Sequence, residues 1–273
     1  MFKKGLSVFA LLFVTGFSMF LGGCTSSNIF TYIIDESYDE FIVMGTSADY
    51  APYEWPMNDD GVQTIVGIDI EIGKAIAKEL GMNLKVVNKG FDYLLDDLSS
   101  GKVDFVIAGM TPTDARALIV DFSNIYYEAH QVVLVQTASV STFTNIDSLN
   151  SASIRIAAQM GAIQQDLAEE NFPLSQKVYL QAVPDLILKL TQGLVEAVVL
   201  EQPVAEGYVS NVEGLSILDL EIGEPDGGSA VAVEKGNADL LTTINAVLAD
   251  MISSGELDQI ISDMIILNST TEE

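Results

Sequence analysis

Basic side chains are scarce in this chain: 12 Lys and Arg, of which only Arg116 and Arg155 are arginines, stand against 39 Asp and Glu, for a formal charge of −27. A surface of that sign repels phosphate backbones, which excludes nucleic acid as a partner. There is one cysteine, Cys24, and one histidine, His130. A disulfide within the chain is therefore impossible, and so is a Cys/His zinc site; no metal and no cofactor is expected. Nor is this an acidic disordered chain, because 49% of its residues are hydrophobic and 273 residues suffice for one large domain or two modest ones.

The one long apolar run is at the start. "MFKKGLSVFALLFVTGFSMFLGGC" has a short basic head (Lys3, Lys4), an apolar stretch from Leu6 to Leu21, and small residues leading into Cys24. The run is short for a membrane span and has no basic flank on its far side, which is a signal-peptide pattern. Its "LGGC" end resembles the lipobox of bacterial lipoproteins, and the resemblance implies a lipidated Cys24 after removal of residues 1–23. A two-chain glyceride would hold the protein on the outer face of a cell membrane. Residues 24–39 are expected to be the tether, although Ile29–Ile34 is more apolar than a plain linker.

From Phe41 short β-branched runs alternate with longer helical ones. "FIVMGT", "NLKVV" and "VDFVIAG" predict strands, separated by the helical patterns "GIDIEIGKAIAKELG" and "FDYLLDDLSSG". After "HQVVLVQ" the order repeats with "SIRIAAQ", "AIQQDLAEEN", "KVYL", "PDLILKLTQG" and "EAVVLE"; then come a "SAVAVE" strand and helices over Ala238–Ser253 and Glu256–Ile266. Such βαβ alternation predicts parallel sheets covered by helices. "FDYLLDDLSSGKVDFVIAG" and "PDLILKLTQGLVEAVVLE" echo each other as helix, Gly, acid and apolar strand, with Asp104 and Glu196 expected to solvate strand starts. Two similar α/β units facing across a cleft follow.

Ligands sit beyond the carboxyl ends of such strands. That rule selects Thr46–Tyr53, Gly109–Arg116, Gln159–Gln164 and Glu201–Pro203, with Phe91 as a fifth place. Arg116 is the oddity. Thr113 and Asp114 read as a helix start, so a cation three residues in would oppose the helix dipole by about 0.3–1 kcal/mol. A bound carboxylate would offset that charge, and Arg116 has the planar fork for one. Glu201, after an apolar strand, suits an ammonium; Tyr50 and Phe91 offer flat faces for a side chain. Together these describe an α-amino acid. Singly, Arg116 could be solvated or paired with Asp121, Glu201 could be a surface cap, the aromatics could be core or rim, and His130 a structural residue near a crossover.

On "GTSADYAPYEW", "GIDIEIGKAIAKELG", "FDYLLDDLSSGKVDFVIAGMTPTDARALIVDFS", "VEAVVLEQPVA" and the tail "VAVEKGNADLLTTINAVLADMISSGELDQI", the sequence resembles the polar-amino-acid family of bacterial solute-binding proteins, the receptors of ABC importers. The resemblance implies an α/β, two-lobe periplasmic-binding-protein-like fold of type II, each lobe a mainly parallel sheet with flanking helices. Two crossover hinge segments would lie near Glu128–Gln131 and Leu220–Gly228. Lobe one would comprise residues 40–129 plus 226–268, lobe two 130–225, and 269–273 a tail. It implies that Arg116 holds the ligand carboxylate, that Thr111 and the Gly109 carbonyl contact carboxylate and ammonium, and that Tyr50 and Phe91 enclose the side chain.

There are departures. Glu201 stands where an aspartate usually meets the ammonium, and the lobe-two turn reads Gly161-Ala162-Ile163, without hydroxyls. Ser47 replaces an acid found in some binders of basic amino acids, leaving Ser47, Glu54 and Asp92 as side-chain selectors. The expectation is a monomeric, non-enzymatic receptor that closes on a free amino acid and docks on membrane permease subunits. Arginine or lysine is favoured by the aromatics and the acidic surface. Glutamine or another polar amino acid, cystine included, is the alternative; a dehydratase-like enzyme on the same fold, a sensory module and a receptor that has lost binding are the rivals.

Overall fold

Two β-sheets organise the protein in the computed structural model, which describes residues 28–59, 61–223 and 228–270. The expected signal peptide and Cys24 lie outside the described residues. In the first sheet the strand order is Ile29–Tyr32, Asn83–Asn88, Phe41–Thr46, Phe105–Val106, Ala232–Glu234, Val120–Phe122. In the second it is Gln176–Leu180, Arg155–Gln159, Ala197–Glu201, Gln131–Gln136, Leu215–Ile222. The three strands joined through helices run parallel in each sheet. The remaining strands run antiparallel to their neighbours.

The chain leaves the first sheet after Phe122 and joins the second at Gln131; it returns between Ile222 and Ala232. The two passages pair with each other, Tyr127–Glu128 antiparallel to Gly228–Ser229, so the lobes are joined by a short two-stranded ribbon.

The internal echo has a structural basis. In each unit the acid ahead of the strand accepts a backbone N–H from the neighbouring strand: Val43 to Asp104 at 2.7 Å and Arg155 to Glu196 at 2.7 Å. Glu196 also pairs with the Arg155 guanidinium at 2.5 Å. These two acids therefore tie strands together rather than solvate them, a correction to the sequence reading.

The first lobe's core rests on the helix Ile68–Glu79, which buries Ile68, Ile70, Ile72 and Ile76 fully. Each such side chain contributes about 1.5–3 kcal/mol. A second correction concerns the tether: Ile29–Tyr32 is the edge strand of the first sheet, in register with Leu84–Val87. Its alternating burial, and Tyr32 Oη donating to the Ile65 carbonyl at 2.5 Å, account for an apolar stretch no linker needs. At the other end the helix Glu256–Thr270 packs against both Ile68–Glu79 and the second lobe's Gln202–Asn211, with Asn211 Nδ2 donating to the Asn268 carbonyl at 2.9 Å. The hairpin Trp55–Asp59 with Val62–Val66 was not foreseen.

Candidate ligand-binding site

Thr113 is extended and its Oγ1 accepts the Arg116 N–H at 3.2 Å, as an N-cap should. The helix it starts, Asp114–Ala117, is one turn long, so Arg116 sits in its last turn as well as its first. The expected clash with a helix dipole is absent, because there is no dipole of any length; this corrects the sequence reading. The side chain turns into the cleft. Its Nη1 donates to the Thr111 carbonyl at 2.6 Å, its Nη2 to the Gly161 carbonyl of the opposite lobe at 2.9 Å, and its guanidinium carbon stands 5.3 Å from the centre of the Phe91 ring. Asp121, the alternative partner, is taken by Lys235 Nζ at 2.6 Å and the Gly236 N–H. None of the ion pairs among the described residues involves Arg116. Loss of solvent lowers its pKa to about 10, with Asp166 acting the other way. A half-buried guanidinium held only by neutral acceptors lacks its natural anion.

Across the cleft stands Glu201, the last residue of the strand Ala197–Glu201 and 1% exposed. Its Oε1 lies 3.5 Å from Gln131 Nε2, and Oε2 has no partner. Burial pushes its pKa up to about 7, with Tyr53 and Gln131 pulling it down and Asp69 pushing further up. Gln131 Oε1 accepts from Gln164 Nε2 at 2.7 Å, which also reaches the Tyr50 hydroxyl at 3.3 Å. That hydroxyl accepts the Glu201 N–H at 3.4 Å, so Tyr50 links the lobes.

Next to these lies a second acidic group. Asp69, on the first turn of its helix, accepts the Gly109 N–H at 2.8 Å and the Tyr126 hydroxyl at 2.7 Å, yet burial still raises its pKa to about 6. Glu54 is fully buried against it, and neither Glu54 oxygen meets a donor. Burial first, and the Asp69 charge second, push Glu54 well above the usual carboxylate range. The two carboxyls titrate as a coupled pair, with Glu54 the more strongly raised member. At Gly109, with φ +52°, a side chain would be strained, and its Cβ would press on the Tyr50 ring at 3.1 Å.

The structure brings Tyr50, Phe91, Gly109, Thr111 and Arg116 together with Ala162 and Ile163 around one cavity of about 10 Å³ between the lobes. That is room for about one water, so a larger ligand enters by opening of the lobes. Glu201 does not line this cavity; its backbone N–H bonds the hydroxyl of Tyr50, which does. Ala162 gives the helix Ile163–Asn171 no side-chain cap; Gln165 instead reaches back to the Gly161 N–H at 3.1 Å. Of the three selectors, Glu54 lies with Asp69, Asp92 accepts from Gln181 of the other lobe at 3.3 Å, and Ser47 donates to Asp49 at 3.2 Å. Sequence reasoning missed Asp49, Asp69, Gln131, Gln159 and Gln164. Gln159 and Gln164 end the loop already marked at a strand's carboxyl end, and Asp49 sits inside "GTSADYAPYEW". A separate cavity of about 550 Å³ at the second lobe's rim, lined by His130, Gln202 and Asp219, shares only Gln131 with this cluster.

Two α/β lobes joined by a paired crossover, with opposed buried charges in the cleft, define a two-lobe solute-binding protein of the periplasmic type II class. The chain belongs to the bacterial extracellular solute-binding proteins, family 3, whose profile matches residues 42–264. It is 32% identical over 249 residues to the arginine-binding extracellular protein ArtP of Bacillus subtilis, covering 88% of this chain and 90% of that one. The solved structure of the amino acid ABC transporter substrate-binding protein AbpA from Streptococcus pneumoniae, bound to L-arginine, superposes with a TM-score of 0.81 at 36% identity, over 85% of this chain and 97% of that one. An ancestral amino acid-binding protein, AncCDT-1, a precursor of cyclohexadienyl dehydratase, gives 0.76 at 28% identity, over 82% and 95%.

Proposed function

We propose that this protein captures a free basic amino acid, arginine before lysine, between its closing lobes and delivers it to an ABC importer. The observation that carries the reading is the pair of opposed, uncompensated charges in one cleft: Arg116 with carbonyl partners only, and Glu201 with a bare Oε2. An α-carboxylate and an α-ammonium answer them, and each pairing recovers a buried charge that is otherwise costly. The acids gathered around the cleft, half-buried Asp49 and buried Asp69 and Glu201, against one guanidinium, favour a cationic side chain over glutamine. The names of the arginine-binding relatives point the same way.

Isothermal titration of the chain begun after Cys24, unfolded and refolded to strip carried-over ligand, tests this with the twenty amino acids, ornithine and cystine. Saturable heat with arginine or lysine is expected, with a dissociation constant near micromolar, a binding free energy of about −8 kcal/mol. Silence with every basic amino acid sinks the reading, and heat with glutamine alone replaces the ligand.

Acylated Cys24 would hold the receptor on the outer face of the membrane, as a monomer presenting its closed lobes to the permease. Loss of fatty-acid labelling in Cys24→Ser tests that anchor. The resemblance to a dehydratase precursor raises an enzyme reading, with Glu201, its pKa raised to about 7, as the acid. We favour binding, because the cleft holds one arginine and the chain's other, Arg155, is bound to Glu196. Product formed from a prephenate-like substrate would reverse that choice.

A further inference from the structure

Asp49 belongs to the first lobe but makes its contacts in the second. Its Oδ2 accepts the N–H of Val183 at 3.0 Å, and both its oxygens lie 3.4 Å from the Gln159 amide, itself held by the Gln181 carbonyl at 2.9 Å. The helix Val183–Thr191 starts at Ala182, which offers no side-chain cap, and Pro184 has no N–H, so the opposite lobe provides the cap. Ser47 Oγ, from its own loop, completes the set at 3.2 Å.

Every one of these donors is neutral. None of the ion pairs among the described residues includes Asp49, and the charged neighbours acting on it are acids: Asp185 on the capped helix, with Asp49 in turn acting on Glu54 and Tyr50. Burial pushes Asp49 up to about 6 despite the pull of Val183, Ser47 and Gln159. Bringing the lobes together therefore moves a carboxylate out of water into a half-buried contact with a helix N-terminus and neutral donors, and gives it no cation. Gln159 lines the small interlobe cavity beside Tyr50, Phe91 and Arg116, so a ligand side chain there shares the same poorly screened space as Asp49.

We propose that Asp49 is a specificity-determining residue that makes closure selective for ligands with a cationic side chain, because its carboxylate is carried into the interlobe contact on every closure, where a helix N-terminus and neutral donors offset part of its desolvation and a positive charge in the cleft offsets the rest. The proposal rests on the basic-amino-acid reading above. A neutral ligand of the same shape must close over an unpaired charge or bring in a proton, and specificity arises as much from that penalty as from attraction. The sign with pH follows. A carboxyl whose pKa is higher in the closed form than in water binds more protons when closed, so the penalty is complete above about pH 6 and fades as pH falls toward 4.

The test is titration of the purified chain with arginine and with citrulline, its uncharged isostere, at pH 7.5 and 5.5, for the native protein and Asp49→Asn. The native protein should prefer arginine. Asp49→Asn should narrow the arginine-to-citrulline ratio by about tenfold or more, largely through tighter citrulline binding, since one pKa unit equals a tenfold change. Lowering the pH should narrow the ratio in the native protein and leave it unchanged in the variant. Citrulline, but not arginine, should take up a proton through Asp49, read from heats in buffers of different ionisation enthalpy. Equal weakening of both ligands in Asp49→Asn would make Asp49 a ligand-blind latch and overturn the proposal, as would a ratio indifferent to pH in the native protein, a reading independent of how the variant folds. If the native protein binds neither arginine nor lysine, the functional reading itself fails, and this proposal with it.

Discussion

The guanidinium of Arg116 and the carbonyl of Gly161 meet at 2.9 Å although they belong to different lobes. One side chain therefore joins the expected carboxylate site to the closed arrangement. Replacing it by alanine removes the sole cation among the cavity's lining residues and one of the interlobe hydrogen bonds. Arg116→Ala should weaken amino-acid binding by about 2–5 kcal/mol, the usual cost of truncating one partner of a buried charge pair. Arg116→Lys should recover little of it, because an ammonium cannot serve the Thr111 carbonyl, the Gly161 carbonyl and a carboxylate with a fork. Titration calorimetry measures the loss. The melting temperature without ligand should hold or rise, since a desolvated charge has been removed.

Gly161 has φ +77°, and a Cβ there would stand 3.2 Å from the Asp92 Cβ of the facing lobe. Gly161→Ala adds about 1–2 kcal/mol of left-handed strain and pushes the lobes apart at that point. The expected result is binding weakened about tenfold or more. The radius of gyration at saturating ligand, from small-angle scattering, should stay above the native value; an unchanged radius and affinity would show that the contact is not tight.

Asp69 and Glu201 are raised to about 6 and 7 in the folded chain, and Glu54 is raised as well, all chiefly by burial, whereas Asp49 joins them only when the lobes close. Between about pH 4 and 7 the native state therefore binds more protons than the unfolded one, and stability falls as pH rises through that window. The protein without ligand should melt several degrees higher at pH 5 than at pH 7.5, with each kcal/mol worth about 2–4 °C for a chain of this size. Glu54→Gln should flatten the profile. A melting temperature that climbs steadily from pH 5 to 7.5 would contradict the assignment.

The Tyr50 hydroxyl accepts from Gln164 at 3.3 Å and from the Glu201 N–H at 3.4 Å. Tyr50→Phe keeps the ring but leaves two donors of the second lobe unmet on closure. At about 1–3 kcal/mol for an unsatisfied buried group, ligand binding should weaken by roughly tenfold, seen as faster dissociation in stopped-flow fluorescence.

Much of the fold could be read from β-branched runs: Phe41–Thr46, Asn83–Asn88, Arg155–Gln159 and Ala197–Glu201 are strands where those runs fall. The helix Ile68–Glu79 shows its buried stripe in the spacing of its isoleucines. Elements without such contrast were missed. Ile29–Tyr32 is too short to separate from a linker, and its role depends on Asn83–Asn88 having a free edge, which is a tertiary fact. At the site, the strand-end rule gathered Tyr50, Thr111 and Arg116, but spacing could not tell which acids would face the other lobe. Position in the chain points to Ser47, Glu54 and Asp92, whereas Asp49 is the acid that meets Val183, 134 residues away.

The edge strand Ile29–Tyr32 also sets a mechanical limit. If Cys24 carries the lipid, Ile29, only five residues further on, is already paired into the first sheet. Fully extended, that stretch reaches roughly 18 Å from Cys24 to Ile29. The first lobe would ride close against the bilayer like a moored float, with the second as the swinging member, so the search for a permease would run in a thin layer at the membrane surface rather than through the bulk.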